Sequence, residues 1–198
     1  MSRIIAGAGK GRRLKSVHGD ETRPTGARVR QSLFDMLAAE IPGCRFLDAF
    51  AGSGGVGLEA LSRGAARVVL VDKSREAVEA ARANASALSG AGGEALVFRQ
   101  DARVALLAFA DQGQQFDVVF LDPPYASELY LPLLELVGDK LLAEGGVVVA
   151  EHFHKRELPE RIGILARSRA ARMGDHRLSF YRRASDVAPA REGEEDGR

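Results

Sequence analysis

The sequence predicts an α/β protein of Rossmann-like design, a mostly parallel sheet with helices on both faces. Three observations carry that expectation. From residue 44 onward, strand-like and helix-like segments alternate. The strand-like segments are nearly unbroken apolar runs, as expected where both sides of a strand are covered. The first of them enters a glycine-rich turn that opens a helix, the arrangement of a nucleotide-binding βα unit.

The elements follow in order. Residues 3–6 and 12–17 are short apolar and basic runs around Gly7-Ala8-Gly9-Lys10-Gly11, and they read as a small β-hairpin. Thr22-Arg23-Pro24-Thr25 is a turn in which Thr25 can cap a helix. Val29, Leu33, Met36, Leu37 and Ile41 then recur at helical spacing, and Pro42-Gly43 ends that helix. Strands are expected at 44–48, 67–72, 94–99, 116–121 and 146–152, with helices near 55–64, 74–88, 102–110 and 128–142. After residue 152 the rhythm changes. Residues 162–170 and 176–183 are two β-like runs joined by Arg172-Met173-Gly174-Asp175, an antiparallel hairpin turning at Gly174. The expected organisation is an N-terminal hairpin extension over 1–20, a main domain over 21–184, and an acidic tail over 185–198 too poor in apolar groups to order.

The 198 residues, 45% of them hydrophobic, suit one domain with a full core. No stretch approaches the ~18–20 apolar residues of a membrane helix, and residues 1–7 lack the apolar core of a secretory signal. Cys44 is the only cysteine, which excludes an internal disulfide and a cysteine-held zinc. Its apolar neighbours predict a buried thiol. A cytoplasmic monomer without a membrane partner fits these features. The net charge of +1 conceals an asymmetry: residues 1–45 sum to +5, 46–154 to −7, 155–183 to +6 and 184–198 to −3. Two basic ends flank an acidic middle, which suits a polyanionic partner beside a site for ribose hydroxyls and a cationic ligand.

The glycine turn reads Asp48-Ala49-Phe50-Ala51-Gly52-Ser53-Gly54-Gly55-Val56-Gly57. Glycines at 52, 54 and 57 let a ligand approach the backbone closely, and the spacing fits NAD, FAD and S-adenosylmethionine alike. Asp48, beside the turn, can hold a cationic amino-acid head group. Asp72, followed by Lys73 at the tip of the second strand, can accept both ribose hydroxyls of an adenosine. Asp101 after the third strand can receive an adenine amino group, with the Ala102 N–H meeting a ring nitrogen. Each acid alone is equally a helix N-cap; together they converge on one crevice.

The fourth strand runs into Asp122-Pro123-Pro124-Tyr125. Two successive prolines stiffen the turn and remove two N–H donors, leaving the Asp122 carboxylate and the Pro123 carbonyl as acceptors. Such an array suits an exocyclic amino group on a base. Two acceptors holding its protons turn the lone pair toward an incoming methyl, and Tyr125 can stack on the base. Alignment of nitrogen, methyl carbon and sulfur is then chiefly an orientation effect, and Asp122 can take the released proton. No metal-ligand cluster is visible, and the chemistry requires none.

At these residues the chain resembles a known family. DAFAGSG is similar to the first motif of class I S-adenosylmethionine-dependent methyltransferases, and DPPY to the motif of their amino-methylating members. RIIAG with GRRL, TRPTGARVRQSLFDML, FAGSGGVGLEALSRGA, FDVVFLDPPY and GDHRLSFY together resemble the RsmD family, bacterial guanine-N2 methyltransferases of small-subunit (16S) ribosomal RNA, over residues 2 to 183. The resemblance implies a seven-stranded sheet with an inserted antiparallel hairpin. It also implies S-adenosylmethionine around Asp48 to Gly54, Asp72 and Asp101, and catalysis at Asp122 to Tyr125. Two positions depart from the family pattern: Asp35, where the family has asparagine, and Met173, where it has tyrosine. The implied partner is ribosomal RNA in a small-subunit particle or assembly intermediate. Lys10, Arg12, Arg13, Arg23, Arg28 and Arg30 are the candidate phosphate contacts, with one base flipped into the pocket. DPPY itself is shared with enzymes that methylate adenine N6 or cytosine N4 in DNA, and a tRNA guanine is a further target. An NAD(P)-dependent oxidoreductase would explain Asp72 but not DPPY. A non-catalytic RNA-binding module would explain neither the acids nor DPPY.

Overall fold

The computed structural model describes residues 2–16, 26–124 and 127–187. Two short strands, β1 (Ser2–Arg3) and β2 (Arg13–Leu14), pair antiparallel near the N-terminus. They are followed by α1 (Ala27–Met36), β3 (Arg45–Asp48), α2 (Gly55–Ser62), β4 (Arg67–Asp72), α3 (Arg75–Ala87), β5 (Glu94–Arg99), α4 (Ala102–Asp111), β6 (Phe116–Leu121), α5 (Tyr130–Leu136), β7 (Leu142–Phe153), β8 (Arg161–Ile162), β9 (Leu165–Met173) and β10 (His176–Arg183). The main sheet has the order β5-β4-β3-β6-β7-β10-β9-β8. Its first five strands are parallel, and β10 enters antiparallel between β7 and β9.

The apolar strand runs are explained by alternation between two cores. Phe46, Val68, Leu70, Val118, Phe120, Val147 and Val149 face α1, α2, α3 and the N-terminal strands. Leu47, Val69, Val71, Val119, Leu121, Val148 and Ala150 face α4 and α5. The central residues of such a strand are buried on one side or the other, so no polar alternation survives there. The edge strand β5 is the exception, with Glu94, Phe98 and Arg99 exposed, because only one neighbour shields it. Cys44 is buried as expected, and burial pushes its thiol up to about 12.

Four expectations need correction. The first helix ends at Met36, not at Pro42, because turns closed by Glu40 N–H to Leu37 O and Cys44 N–H to Ile41 O carry the chain into β3. Its N-cap is Gly26, which makes no side-chain cap bond; Thr25 lies outside the described residues. The helix expected to reach 142 changes at Val137 into a π-helical turn ending at Leu141, packed so tightly that a Cβ at Gly138 would come within 2.7 Å of Leu165. The terminal hairpin turns at Gly174 (φ +64°), with Met173 opposite His176. Two-residue β8 joins β9 at the far edge, so the sheet has eight strands rather than seven. No helix among the described residues is long and apolar enough to cross a membrane.

Candidate active site

The candidate site lies at the C-terminal ends of the parallel strands, where chain order reverses. From β3 the chain builds outward through β4 and β5; it then returns to place β6 and β7 on the other side. Loops diverge at such a point, and open α/β sheets bind ligands there. Strand alternation brings one acid from each of four adjacent strands to the same face. Asp72, Asp48, Asp122 and Glu151 each follow by two residues a side chain of the α1–α3 core, namely Leu70, Phe46, Phe120 and Val149.

The glycine loop is held by backbone bonds from Ala49 N–H to Phe120 O (3.1 Å), Ala51 N–H to Val71 O (2.9 Å) and Gly54 N–H to Ala51 O (2.7 Å). Gly54 takes the left-handed conformation (φ +87°) and caps α2. A Cβ at Gly57 would meet Leu70 Cδ2 at 2.3 Å, so the third glycine brings α2 onto β4. At Gly52 a Cβ would meet no atom within 4 Å; the loop borders open space there. Ala49 and Ala51 are buried, while Phe50 and Ser53 are half-buried.

The acids differ in role. Asp48 is 1% exposed and accepts from Gly57 N–H at 3.1 Å. Burial pushes its carboxyl up to about 7; Gly57 and Phe50 N–H groups oppose that rise, and the Asp122 and Asp72 charges add to it. A buried carboxyl held so high is a place where a neighbouring cation is favoured. Asp72 clamps the loop, accepting from Gly52 N–H (2.8 Å) with one oxygen and from Ser74 N–H (2.8 Å) with the other. Each carboxylate oxygen has a second lone pair, so both can still accept a hydroxyl. Lys73 is exposed. Asp101 is exposed and caps α4 through Arg103 N–H (3.0 Å); Ala102 is buried. For Asp101 the helix-capping alternative is thus realised in the structure.

Asp122 follows β6 directly. Burial, then the Glu151 charge, holds its carboxyl well above the usual range. Pro123 is buried and Pro124 exposed, with Pro124 O accepting from Ser127 N–H at 2.8 Å. Tyr125 lies outside the described residues. Tyr130 on α5 donates its hydroxyl to Glu151 O (2.9 Å) and lies 3.3 Å from Pro123 O, tying the proline turn to the end of β7. Among the described residues no group of three or more His, Cys, Asp or Glu is arranged to hold a metal ion.

The basic residues separate into two sets. Lys10 and Arg12 in the connection between the N-terminal strands, Arg13 on β2 and Arg28 on α1 are exposed. Arg23 lies outside the described residues. Arg30 is corrected from phosphate contact to structural tie: it is 2% exposed, donates to Arg3 O (2.6 Å) and Ser2 Oγ (3.2 Å), and lies 3.8 Å from Glu59. Its helical position turns it inward beside Val29 and Leu33, where a buried carboxylate awaits it.

Sequence reasoning missed several residues. Glu59, fully buried, accepts from Ile5 N–H (2.8 Å), Ala6 N–H (3.0 Å) and Arg63 Nε (2.8 Å). Asn84 holds Lys15 through both backbone groups and donates to Ser53 O at 2.9 Å, joining the N-terminal segment to the glycine loop. Glu151 and Tyr130 were also missed. For Glu151 a signal existed, since it stands at the tip of the fifth parallel strand just as Asp122 stands at the fourth.

Comparison with known proteins agrees with this arrangement. The family model described as "Conserved hypothetical protein 95" matches residues 2–182. The chain is 41% identical to YlbH of Bacillus subtilis over 182 residues, covering 91% of this chain and 98% of that protein. It is 37% identical over 158 residues to "Ribosomal RNA small subunit methyltransferase D" of Escherichia coli, covering 79% of this chain and 77% of the relative. The solved structure of yhhF from Escherichia coli superposes with a TM-score of 0.79 at 35% identity, over 91% of this chain and 97% of that one.

Proposed function

Because the chain belongs to the family described as Conserved hypothetical protein 95 and is similar to the relatives above, we propose that it is an S-adenosylmethionine-dependent ribosomal RNA methyltransferase acting in the cytoplasm, and that its target is the exocyclic N2 of a guanine in small-subunit (16S) RNA. One observation carries the reading. Asp122 and the Pro123 carbonyl stand at the tip of β6, beside the glycine crevice and across from buried Asp48.

The residues present fit the cofactor. The backbone at Gly52 faces open space that a Cβ would enter, and Asp48 is a buried carboxyl whose charged form a bound cation would favour. When bound, S-adenosylmethionine supplies a methyl group already activated by its sulfonium. Ala49 to Gly54 form the cradle, with Asp48 at the cationic end. Asp72, beside Lys73, accepts ribose hydroxyls, and Asp101 with the Ala102 N–H meets adenine. Asp122 and Pro123 O accept the two amino protons and so aim the nitrogen lone pair. Pro124 stiffens the turn, Tyr125 stacks on the base, and Asp122 takes the proton released on transfer. Tyr130 keeps Pro123 O in place.

The test is transfer of a labelled methyl group from S-adenosylmethionine to small-subunit particles from cells lacking the protein, with the product nucleoside identified by mass spectrometry. N2-methylguanosine in the small-subunit RNA is the expected product. A different methylated base, or binding of NAD in place of S-adenosylmethionine, contradicts the proposal.

The exposed Lys10, Arg12, Arg13 and Arg28 share the sheet face that carries the acids, since β2 and α1 both pack on that core. Their proposed role is to hold phosphates around the flipped base. Charge reversal at Arg12, Arg13 and Arg28 is expected to weaken RNA binding and to flatten the plot of log K against log salt by about 2 to 3, near 0.7–0.9 per lost contact. Filter binding across a salt series reads the slope; an unchanged slope places the RNA surface elsewhere.

A further inference from the structure

Glu151 is 1% exposed at the end of β7, yet the chemistry above does not use it. Leu121 and Ala150 are register partners on adjacent parallel strands. The next residues on each strand, Asp122 and Glu151, are therefore neighbours about 4.8 Å apart in backbone spacing, on one face of the sheet. Asp122 is half-buried and Glu151 buried, both at the C-terminal edge of the parallel strands. Glu151 is also held in place: its Oε1 lies 2.7 Å from His176 Nδ1 on β10, and its backbone carbonyl accepts from Tyr130. A fixed carboxylate beside the amine-gripping turn is poised to touch the atom next to that amine.

We infer that Glu151 is a specificity-determining residue that accepts the N1–H of the target guanine while Asp122 and the Pro123 carbonyl hold its N2 amino group. The inference rests on the proposed function above. An ionised carboxylate is acceptor-only, with two oxygens and about four lone-pair sites, so it can serve a base N–H together with the neighbours that hold it. Guanine presents N1–H directly beside its N2 amino group, a row of donors. Adenine and cytosine instead place an unprotonated ring nitrogen beside the amino group. That lone pair would face a buried carboxylate, an unpaired contact of acceptor with acceptor. The two acids also repel, and the Glu151 charge is part of what raises the Asp122 carboxyl. A donor-rich base edge relieves that repulsion; an edge bearing an acceptor adds to it. The acid pair therefore selects guanine among bases that carry an amino group.

The experiment compares guanine with 2-aminopurine at the methylated position of small-subunit RNA. 2-Aminopurine keeps the amino group but has a lone pair at N1. The wild-type protein is expected to methylate guanine faster by about 100-fold or more. Glu151→Gln keeps the shape and can either donate or accept, and is expected to narrow the ratio to under about tenfold while S-adenosylmethionine affinity, measured by calorimetry, holds within about twofold. Comparable wild-type rates on the two bases, or an unchanged ratio in Glu151→Gln, overturns the inference. If Glu151→Gln no longer binds S-adenosylmethionine, the ratio is read in Glu151→Ala instead, where persistence of the wild-type preference overturns the inference. Transfer to neither base by the wild type overturns the proposed function, and this inference with it.

Discussion

Asp122→Ala is expected to lower single-turnover methyl transfer by about three orders of magnitude while S-adenosylmethionine affinity changes by no more than a few-fold. Two effects act together. Removing the carboxylate takes away one of the two acceptors that orient the amine, and it removes the acceptor for the released proton. Orientation and proton transfer each contribute factors of about a hundred or more. The fold should tolerate the change and gain from it. Asp122 is a half-buried acid whose carboxyl is raised by loss of solvent and by Glu151, and its charge in turn raises Asp48. Deleting it removes a like-charge repulsion from the centre of the crevice. Asp122→Asn keeps one acceptor oxygen but cannot take a proton, so its loss of transfer should be smaller than that of alanine only if orientation dominates. Calorimetry and rapid-quench kinetics separate binding from transfer. Retained turnover in Asp122→Ala would mean that the proton and the amine are held elsewhere.

Glu59→Ala is expected to destabilise the folded chain by about 3–5 kcal/mol, the usual cost of removing one partner of a buried charge pair. The carboxylate is fully buried and serves four groups: two backbone N–H donors of the N-terminal segment, the Arg63 guanidinium, and Arg30 at 3.8 Å. Alanine leaves Arg30 buried without its counter-charge and leaves Ile5 and Ala6 N–H without acceptors. Burial already draws the Arg30 guanidinium down, with Glu59 the charge that opposes this. Urea denaturation measures the loss. Hydrogen exchange at Ile5 and Ala6 locates it, since those amides should lose protection before the sheet does. The functional consequence follows from position. The same clamp, with Ser62 accepting from Gly9 N–H at 2.9 Å and Asn84 gripping Lys15, sets Lys10, Arg12 and Arg13 on a fixed support. A change below about 1 kcal/mol would show that the N-terminal strands hold without it.

Much of the site was legible from sequence because it lies at strand tips. In a parallel sheet the C-terminal end of each strand delivers its next residue to one edge. Finding the strands therefore located Asp48, Asp72 and Asp122 at one edge of the sheet, whereas Asp101 is spent on capping α4. The glycine spacing was equally readable, since Gly54 needs a left-handed backbone and Gly57 a close approach to Leu70. Glu151 obeys the same rule and was passed over because no motif accompanies it.

Arg28 and Arg30 show where that legibility stops. Both are arginines on one helix, two residues apart, and nothing local separates them. Arg28 is exposed, while Arg30 is consumed by Glu59 and by the backbone of Ser2 and Arg3. The sequence alone determined the parallel α/β pattern, because continuous apolar runs can be satisfied only by cover on both faces. It also determined the crevice edge, because strand ends and glycines impose local conformations. Only the tertiary structure decided which charges are structural and which stand open, where β10 inserts, and that Asn84 reaches back 69 residues to Lys15 and 31 to Ser53. A polar side chain's fate depends on a partner brought from far along the chain, and its own position carries no trace of that partner.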